Sequence, residues 1–426
     1  MTDPFTDLAI IGAGAGGLMG AVMAAQAGIR CVLIERKPQP GRKLLMCANN
    51  RCNLTNDLAA DDMIAAYGAP VGDFLTPAIT GLSPRALCQW FAANGLKTRT
   101  HKDGKVFPHS EKSTDVIRFF SGQLRDHNVP VMYNAPVEAI ERLPDGFLVV
   151  CACFTLRART ILLATGGVSY PKTGSVGDGQ KIARSLGHKI TPYRPGLVGW
   201  DVAERWLTTA GQGALPGAKV TIYAGETCVG ATTGEIEYSH QGIRGPAVID
   251  ASRLMARHGG SEFRLEVDLF PRWSENELTD QLERGLGANA GSVAKTLAGR
   301  MLSPPFVRGF FKHASLRENA SSATVSAALK HWLLTPVKSR PLKEAMVTVG
   351  GVSLAEVNPG TMGSKLVPGL YFCGEVLDID GPTGGFNLHA AFATATLAAR
   401  AVAAGTEGKK KPPRNPRRDK GGKKKF

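Results

Sequence analysis

The strongest constraint on this chain lies near its amino terminus, where Leu8-Ala9-Ile10-Ile11 runs straight into Gly12-x-Gly14-x-x-Gly17. Four consecutive apolar residues suit a buried parallel strand. An Ala- and Met-rich segment follows to Ala27, interrupted only by Gly20 and ended by Gly28. Cys31-Val32-Leu33-Ile34 reads as a second strand, and Glu35 stands at its end, 21 residues after Gly14. Strand, glycine turn, helix, strand and terminal acid are the parts of a dinucleotide-binding βαβ unit. Gly12 permits the tight turn, Gly14 lets a pyrophosphate approach the backbone, and Gly17 lets helix and strand pack closely. The helix N-terminus presents free N–H groups to phosphate. Glu35 can accept both hydroxyls of a ribose that carries no 2′-phosphate, which does not by itself separate NAD from FAD. No second fingerprint exists, since Gly285-x-Gly287-x-x-x-Gly291 has the wrong spacing.

The carboxyl-terminal part of the body supplies a partner. Leu370-Tyr371-Phe372-Cys373 reads as a strand ending in Gly374-Glu375. The loop Gly381-Pro382-Thr383-Gly384-Gly385 then opens what reads as an amphipathic helix. A helix N-terminus there would stabilise negative charge on a reduced isoalloxazine ring. Ile161-Leu162-Leu163-Ala164-Thr165-Gly166-Gly167 is another strand with a glycine turn. Arg42 and Lys43, after the second strand, can reach cofactor phosphates or form a solvated loop pair. Gly385 and Asn387 can contact a flavin pyrimidine or merely cap the last helix.

Bulk properties exclude several classes. The chain has 426 residues, 43% apolar and 20% charged, so it is globular and long enough for two or three packed units. Its eight cysteines include no CxxC pair and no zinc-type His/Cys cluster. Cys151 and Cys153 read as alternating on one strand. Unpaired thiols fit a cytoplasmic setting, and no motif suggests a metal. Leu8 to Ile29 lacks charge, but its six glycines fit a strand, turn and buried helix better than a membrane span. The net charge is +15, and the last eighteen residues, KKKPPRNPRRDKGGKKKF, hold ten Lys or Arg against one Asp. Residues 405–426 offer no apolar residue beyond Phe426 and read as a disordered basic tail.

Longer motifs carry a family resemblance. GRKLL and RCNLTN (41–45, 51–56), KVFPHS (105–110) and ATGGVSYPKTGSVGDG (164–179) are four of them. GEIEYSHQGIRGPAV (234–248), TVGGVSL (348–354) and TMGSKLVPGLYFCGEVLDIDGPTGGFNL (361–388) complete the set. From about residue 6 to 404 the chain resembles the BaiN/RdsA-type NAD(P)/FAD-dependent oxidoreductases, within the glutathione-reductase-like flavoproteins. The resemblance implies an α/β fold: a Rossmann-like FAD-binding domain with an inserted β-rich domain and a helical subdomain. On that basis the FAD domain takes residues 1–190 and 340–404, the β-rich insertion 191–273, and the helical part 274–339. The helical part opens at a capping box, Ser274-x-x-Glu277, breaks at Ser303-Pro304-Pro305 and reaches about Leu334. One departure stands out. Cys47-Ala48-Asn49-Asn50 replaces the family's Ser and three glycines, so positive φ there falls to residues such as Asn.

The expected FAD contacts are Gly12, Gly14, Gly16, Gly17, Glu35, Arg36, Gly41, Arg42, Lys43, Asn53, Val137, Thr165, Gly166, Gly167, Gly374, Glu375, Gly384, Gly385, Phe386, Asn387 and Leu388. NAD(P)H is the expected transient reductant. The resemblance implies reduction of a C=C bond next to a carbonyl, with steroid enones and the uracil ring of ribosomal RNA among family substrates. Such a reaction needs a hydride and a proton. Cys52, His240 and Tyr170 are the candidate proton donors beside water, and Cys52 and His240 can equally be structural. Cys47 and Cys52 formally have disulfide-reductase spacing, against which the intervening residues argue. The tail suits RNA or a ribosomal particle, giving affinity without base choice, or else simple solubility. Two other readings remain open: reduction of a small steroid-like enone, and a non-catalytic flavin-bearing RNA-binding factor.

Overall fold

The computed structural model describes residues 5–46, 50–260, 262–285 and 292–407. The basic tail and Cys47-Ala48-Asn49 lie outside the described residues. Asn50, inside them, has φ 57°, the left-handed conformation open to Asn.

Two lobes follow from two strand chemistries. The first is built on a sheet whose strands Val131–Met132, Cys31–Ile34, Phe5–Ile11 and Phe154–Leu163 run parallel in that order. Leu370–Phe372 adds in parallel to the outer half of Phe154–Leu163, and the hairpin strands Gly146–Cys151 and Val137–Leu143 extend the other half antiparallel. Leu8, Ala9, Ile10 and Ile11 are all buried because both faces of this sheet are covered. The register aligns Ile11 with Ile34 and Leu163, and Leu163 with Phe372. The carboxyl ends of these strands therefore open on one crevice, where ligands bind in such sheets.

Helix Ala15–Gln26 packs against helix Phe386–Glu407, which also meets Val71–Gly81. Phe386–Glu407 is not amphipathic as expected. Neighbours cover it on nearly all sides, as its Ala- and Thr-rich sequence allows. Cys153 is likewise not on a strand with Cys151, since Ala152-Cys153 forms the turn of a hairpin.

The second lobe is an antiparallel seven-stranded sheet. Its long strands Gly213–Ala224 and Thr227–Ser239 bury alternate residues such as Val220 and Ile222. Helices Glu275–Gly285, Val293–Arg300, Pro304–His313 and Ser322–Lys330 follow. The capping box forms: Glu277 accepts from the Ser274 N–H at 2.7 Å. The double proline interrupts the helices by starting one, with Ser303 at its N-cap. Helix ends at Lys330, short of Leu334. Trp332 and Leu334 are buried and Leu333 exposed, a period of two, and Trp332–Leu334 pairs as a strand with Phe263–Asp268.

The buried apolar residues form two clusters. One is drawn from residues 8–183 and 352–402, the other from 207–334. One helix of the second lobe, Pro246–His258, grips the first. Asp250, Arg253 and Arg257 recur at helical spacing on it. Asp250 accepts from the Thr383 N–H at 2.7 Å and its hydroxyl at 2.8 Å. Arg253 meets Asp380 at 3.3 Å, and Arg257 meets both Asp378, at 2.7 Å, and Asp380. Burial pushes the Asp250 and Asp380 carboxyls up, opposed chiefly by the Thr383 hydrogen bonds at Asp250 and by Arg257 and Arg253 at Asp380. Removing one partner would strand the other's charge, so these pairs fix the 378–383 segment.

Candidate active site

A cavity of about 600 Å³ opens at the carboxyl ends of the parallel strands. At its inner end the fingerprint behaves as its spacing predicts. A Cβ on Gly17 would lie 1.8 Å from the Gly12 carbonyl oxygen, so only glycine lets helix and turn pack. A Cβ on Gly14 would meet nothing within 4 Å, so that backbone borders open space. Helix Ala15–Gln26 has no side-chain cap, which leaves its first N–H groups for an anion. Glu35 is buried at the next strand end. Its Oε2 accepts from the Ala13 N–H at 2.7 Å and its Oε1 from the Lys37 N–H at 2.8 Å. A carboxylate has about four acceptor positions, so two remain for ribose hydroxyls.

Most expected cofactor residues are brought together on this wall: Gly12, Gly14, Gly16, Glu35, Arg36, Gly41, Arg42, Lys43, Asn53, Val137, Thr165, Gly166, Gly374, Glu375, Gly384, Gly385, Asn387 and Leu388. Gly17, Gly167 and Phe386 are not on it. Gly17 serves helix packing, and Gly167 lies against Thr348 and Glu375. Phe386 turns its ring edge-on to Tyr67 at 5.7 Å.

Several polar residues have other partners than those expected. Lys43 donates to Glu375 at 2.7 Å and to Ser169 at 2.6 Å. The other Glu375 oxygen accepts from the Thr348 N–H at 2.7 Å. Lys43 thus ties three segments together, while Arg42 forms no ion pair among the described residues. Arg36 pairs with Asp178 across the wall. The Asn387 amide holds the loop before it, accepting from the Gly381 N–H and donating to the Gly381 carbonyl, both at 2.9 Å. The Thr165 hydroxyl lies against Gly179.

The outer end holds the groups that sequence reasoning passed over. Arg51 and Phe107 line the cavity, the Arg51 guanidinium carbon 4.6 Å from the Phe107 ring centroid. Glu111 meets Arg51 at 2.5 Å and His101 at 2.7 Å. Asn53 joins them, its buried Oδ1 without a partner among the described residues. Met46, Met346 and Leu197 also line the cavity, the two methionines being half exposed. RCNLTN and KVFPHS contained this signal: in an extended run, Arg51 and Asn53 face one way and Cys52 the other.

That alternation also bears on the proton-donor candidates. Cys52 is fully buried in the core and off the cavity wall. His240 is exposed at a turn between strands of the second lobe, also off the wall. Tyr170 alone of the three lines the cavity, with φ 51° and ψ 57°, an uncommon conformation for a bulky residue. The described cysteines form no disulfide, and no group of His, Cys, Asp or Glu among the described residues could hold a metal. None of the described helices is long and apolar enough to cross a membrane.

These residues fit FAD: an open glycine turn at a bare helix end, an acid with spare acceptor positions, and an elongated cavity ending at a second helix N-terminus. The comparisons agree. The family model described as HI0933-like protein Rossmann domain matches residues 6–401. The 3-dehydro-bile acid delta(4,6)-reductase of Clostridium scindens is 31% identical over 93% of this chain and 98% of its own. A ribosomal RNA dihydrouridine synthase of Haemophilus influenzae is 26% identical over 93% of this chain and 98% of its own. Among solved structures, a 3-ketosteroid-delta4-(5alpha)-dehydrogenase from Rhodococcus jostii RHA1 shares the fold. It has a TM-score of 0.52 and 15% identity, over 94% of this chain and 97% of that one. The chain therefore belongs to the HI0933-like Rossmann family of BaiN/RdsA-type, FAD-dependent oxidoreductases.

Proposed function

We propose that this enzyme reduces a C=C bond conjugated to a carbonyl, that the favoured substrate is uridine in ribosomal RNA, and that NAD(P)H is the reductant. The two relatives' named activities pose one electronic problem: a conjugated carbonyl accepts hydride at its β-carbon and negative charge gathers on its oxygen. The observation that carries the reading is Arg51, pinned between Glu111 and Phe107 on the cavity wall. Bound FAD would supply the hydride, taken originally from NAD(P)H. Arg51 offers fixed N–H donors to the carbonyl oxygen, where charge develops. Asn53 Oδ1 offers an acceptor to an N–H, of the cofactor or of a uracil ring. Tyr170 or water supplies the proton to the neighbouring carbon. Glu35, the 12–17 turn and the 384–388 helix start hold the cofactor, and Lys43 with Glu375 fixes the wall between them.

Uridine is favoured by the charge of the chain, nine of whose fifteen net positive charges sit in residues 409–426. A small enone needs no such charge. The half-exposed Met46 and Met346 at the cavity give the second reading, a flat apolar enone, its own support. A cytoplasmic setting follows from the RNA reading and fits the absence of a disulfide among the described cysteines. The test is mass spectrometry of ribosomal RNA nucleosides from a strain lacking the gene. Loss of dihydrouridine at one site is expected, and an unchanged inventory would transfer the reading to a small enone.

A further inference from the structure

The three-stranded sheet beside the cavity carries an unassigned surface. Thr98–Thr100 and Lys105–Pro108 pair antiparallel, with Arg99 opposite Phe107. The pairing continues at both ends: the His101 N–H donates to the Lys105 carbonyl at 2.9 Å, and the His109 N–H to the Lys97 carbonyl at 2.8 Å. Side chains alternate along a strand, and opposed residues share a face. One face therefore carries Lys97 with His109, Arg99 with Phe107, and His101 with Lys105. The other turns Val106 and Pro108 into the core. The Phe107 ring continues this basic face onto the cavity wall, where Arg51 stacks on it.

The charges are available. Lys97, Arg99 and Lys102 are exposed and form no ion pair among the described residues. Two acidic side chains nearby are committed, Asp103 to Lys105 at 2.7 Å and Glu111 to Arg51 and His101, while Asp57, whose N–H donates to the Gly104 carbonyl, forms no ion pair among the described residues. Exposed cations can track the phosphates of a single strand; the Phe107 ring is buried beneath Arg51, so the flat, partly exposed Arg51 guanidinium is the face left for a base to stack on. A base inside a helix cannot enter a closed cavity without leaving its stack. A surface that holds the flanking backbone at the cavity entrance meets that requirement.

We infer that the Lys97–His109 hairpin face is the RNA-docking surface, holding the phosphates beside the target nucleotide while its base enters past Arg51 and Phe107. The inference rests on the RNA reading above and adds where the RNA sits. The test combines Lys97→Ala, Arg99→Ala and Lys102→Ala in the full-length, FAD-loaded protein. Binding of a fluorescein-labelled, uridine-containing RNA hairpin is measured by anisotropy between about 50 and 200 mM salt. Each lost phosphate contact should flatten the slope of log K against log salt by about 0.7 on a single strand, so the triple variant should lose about 2. FAD content and melting temperature report whether the variant is folded. The charge-retaining set Lys97→Arg, Arg99→Lys and Lys102→Arg should restore the slope. Tight wild-type binding with the same slope in the alanine variant overturns the docking surface and leaves the RNA reading standing. Wild-type protein without salt-dependent RNA affinity overturns both.

Discussion

Acid should weaken this fold through one buried side chain, His389, in the first turn of the last helix. The residue is fully buried, its Nδ1 lies 2.9 Å from the Thr55 hydroxyl, and its Nε2 makes no hydrogen bond among the described residues. Burial disfavours the imidazolium and pushes the pKa down to about 4 from 6.5, the Leu82 backbone acting in the opposite direction. The unfolded chain takes up a proton as pH falls through about 6.5, and the folded chain takes none until about 4. Between those values the unfolded state binds more protons, so stability falls with falling pH. The difference between those two values corresponds to about 3 kcal/mol, present in full above pH 6.5 and mostly lost by about pH 4. This is a large part of a typical net stability. His389→Gln keeps a polar partner for Thr55 and removes the titration. Urea unfolding of both proteins at several pH values from 7 to 4.5, followed by Trp fluorescence, gives the difference directly. Trp90 reports on this lobe, since it packs on Phe91, which meets Phe392 of the same helix. The wild type should lose about 2 kcal/mol more than the variant across that range. Parallel pH dependences would refute the assignment.

Two substitutions test the cavity. Glu35→Ala removes an acceptor of ribose hydrogen bonds worth about 1.5–3 kcal/mol for a charged group, so FAD affinity should fall on the order of tenfold to a hundredfold; an unchanged dissociation constant would mean that the ribose lies elsewhere. Arg51→Ala should leave reduction by NAD(P)H intact and slow substrate turnover about 10²-fold, the usual cost of losing one donor to a developing oxyanion; equal loss in both half-reactions would place Arg51 with the cofactor instead.

Local chemistry made the fingerprint legible. Gly12, Gly14, Gly17 and Glu35 each answer a demand set within a few residues, and the strands Phe5–Ile11 and Cys31–Ile34 match the apolar runs that announced them. What escaped depends on partners distant in sequence. Helix Phe386–Glu407 carries no amphipathic stripe because neighbours cover it on nearly all sides. Trp332–Leu334 continues an apolar run that reads as helix until Phe263–Asp268 offers it an edge. Cys52 looked chemical by type, but its side chain alternates into the core. Arg51, Phe107, His101 and Glu111 span sixty residues of sequence, and only the register of a small sheet makes them neighbours. Likewise, nothing local ties Asp250, Arg253 and Arg257 to the 378–383 loop they hold.

If this protein passes a hydride to a conjugated C=C bond in RNA, RNA must reoxidise its reduced flavin. The most direct measurement is anaerobic: reduce the FAD-loaded protein with one equivalent of NADPH or NADH, mix it with unmodified ribosomal RNA in a stopped flow, and follow the flavin absorbance. Rapid return of the oxidised spectrum with uridine-containing RNA, and dihydrouridine in the recovered product, are expected. A spectrum that stays reduced with RNA but recovers with a small conjugated ketone would contradict the RNA substrate, and one that stays reduced with both would contradict C=C reduction itself.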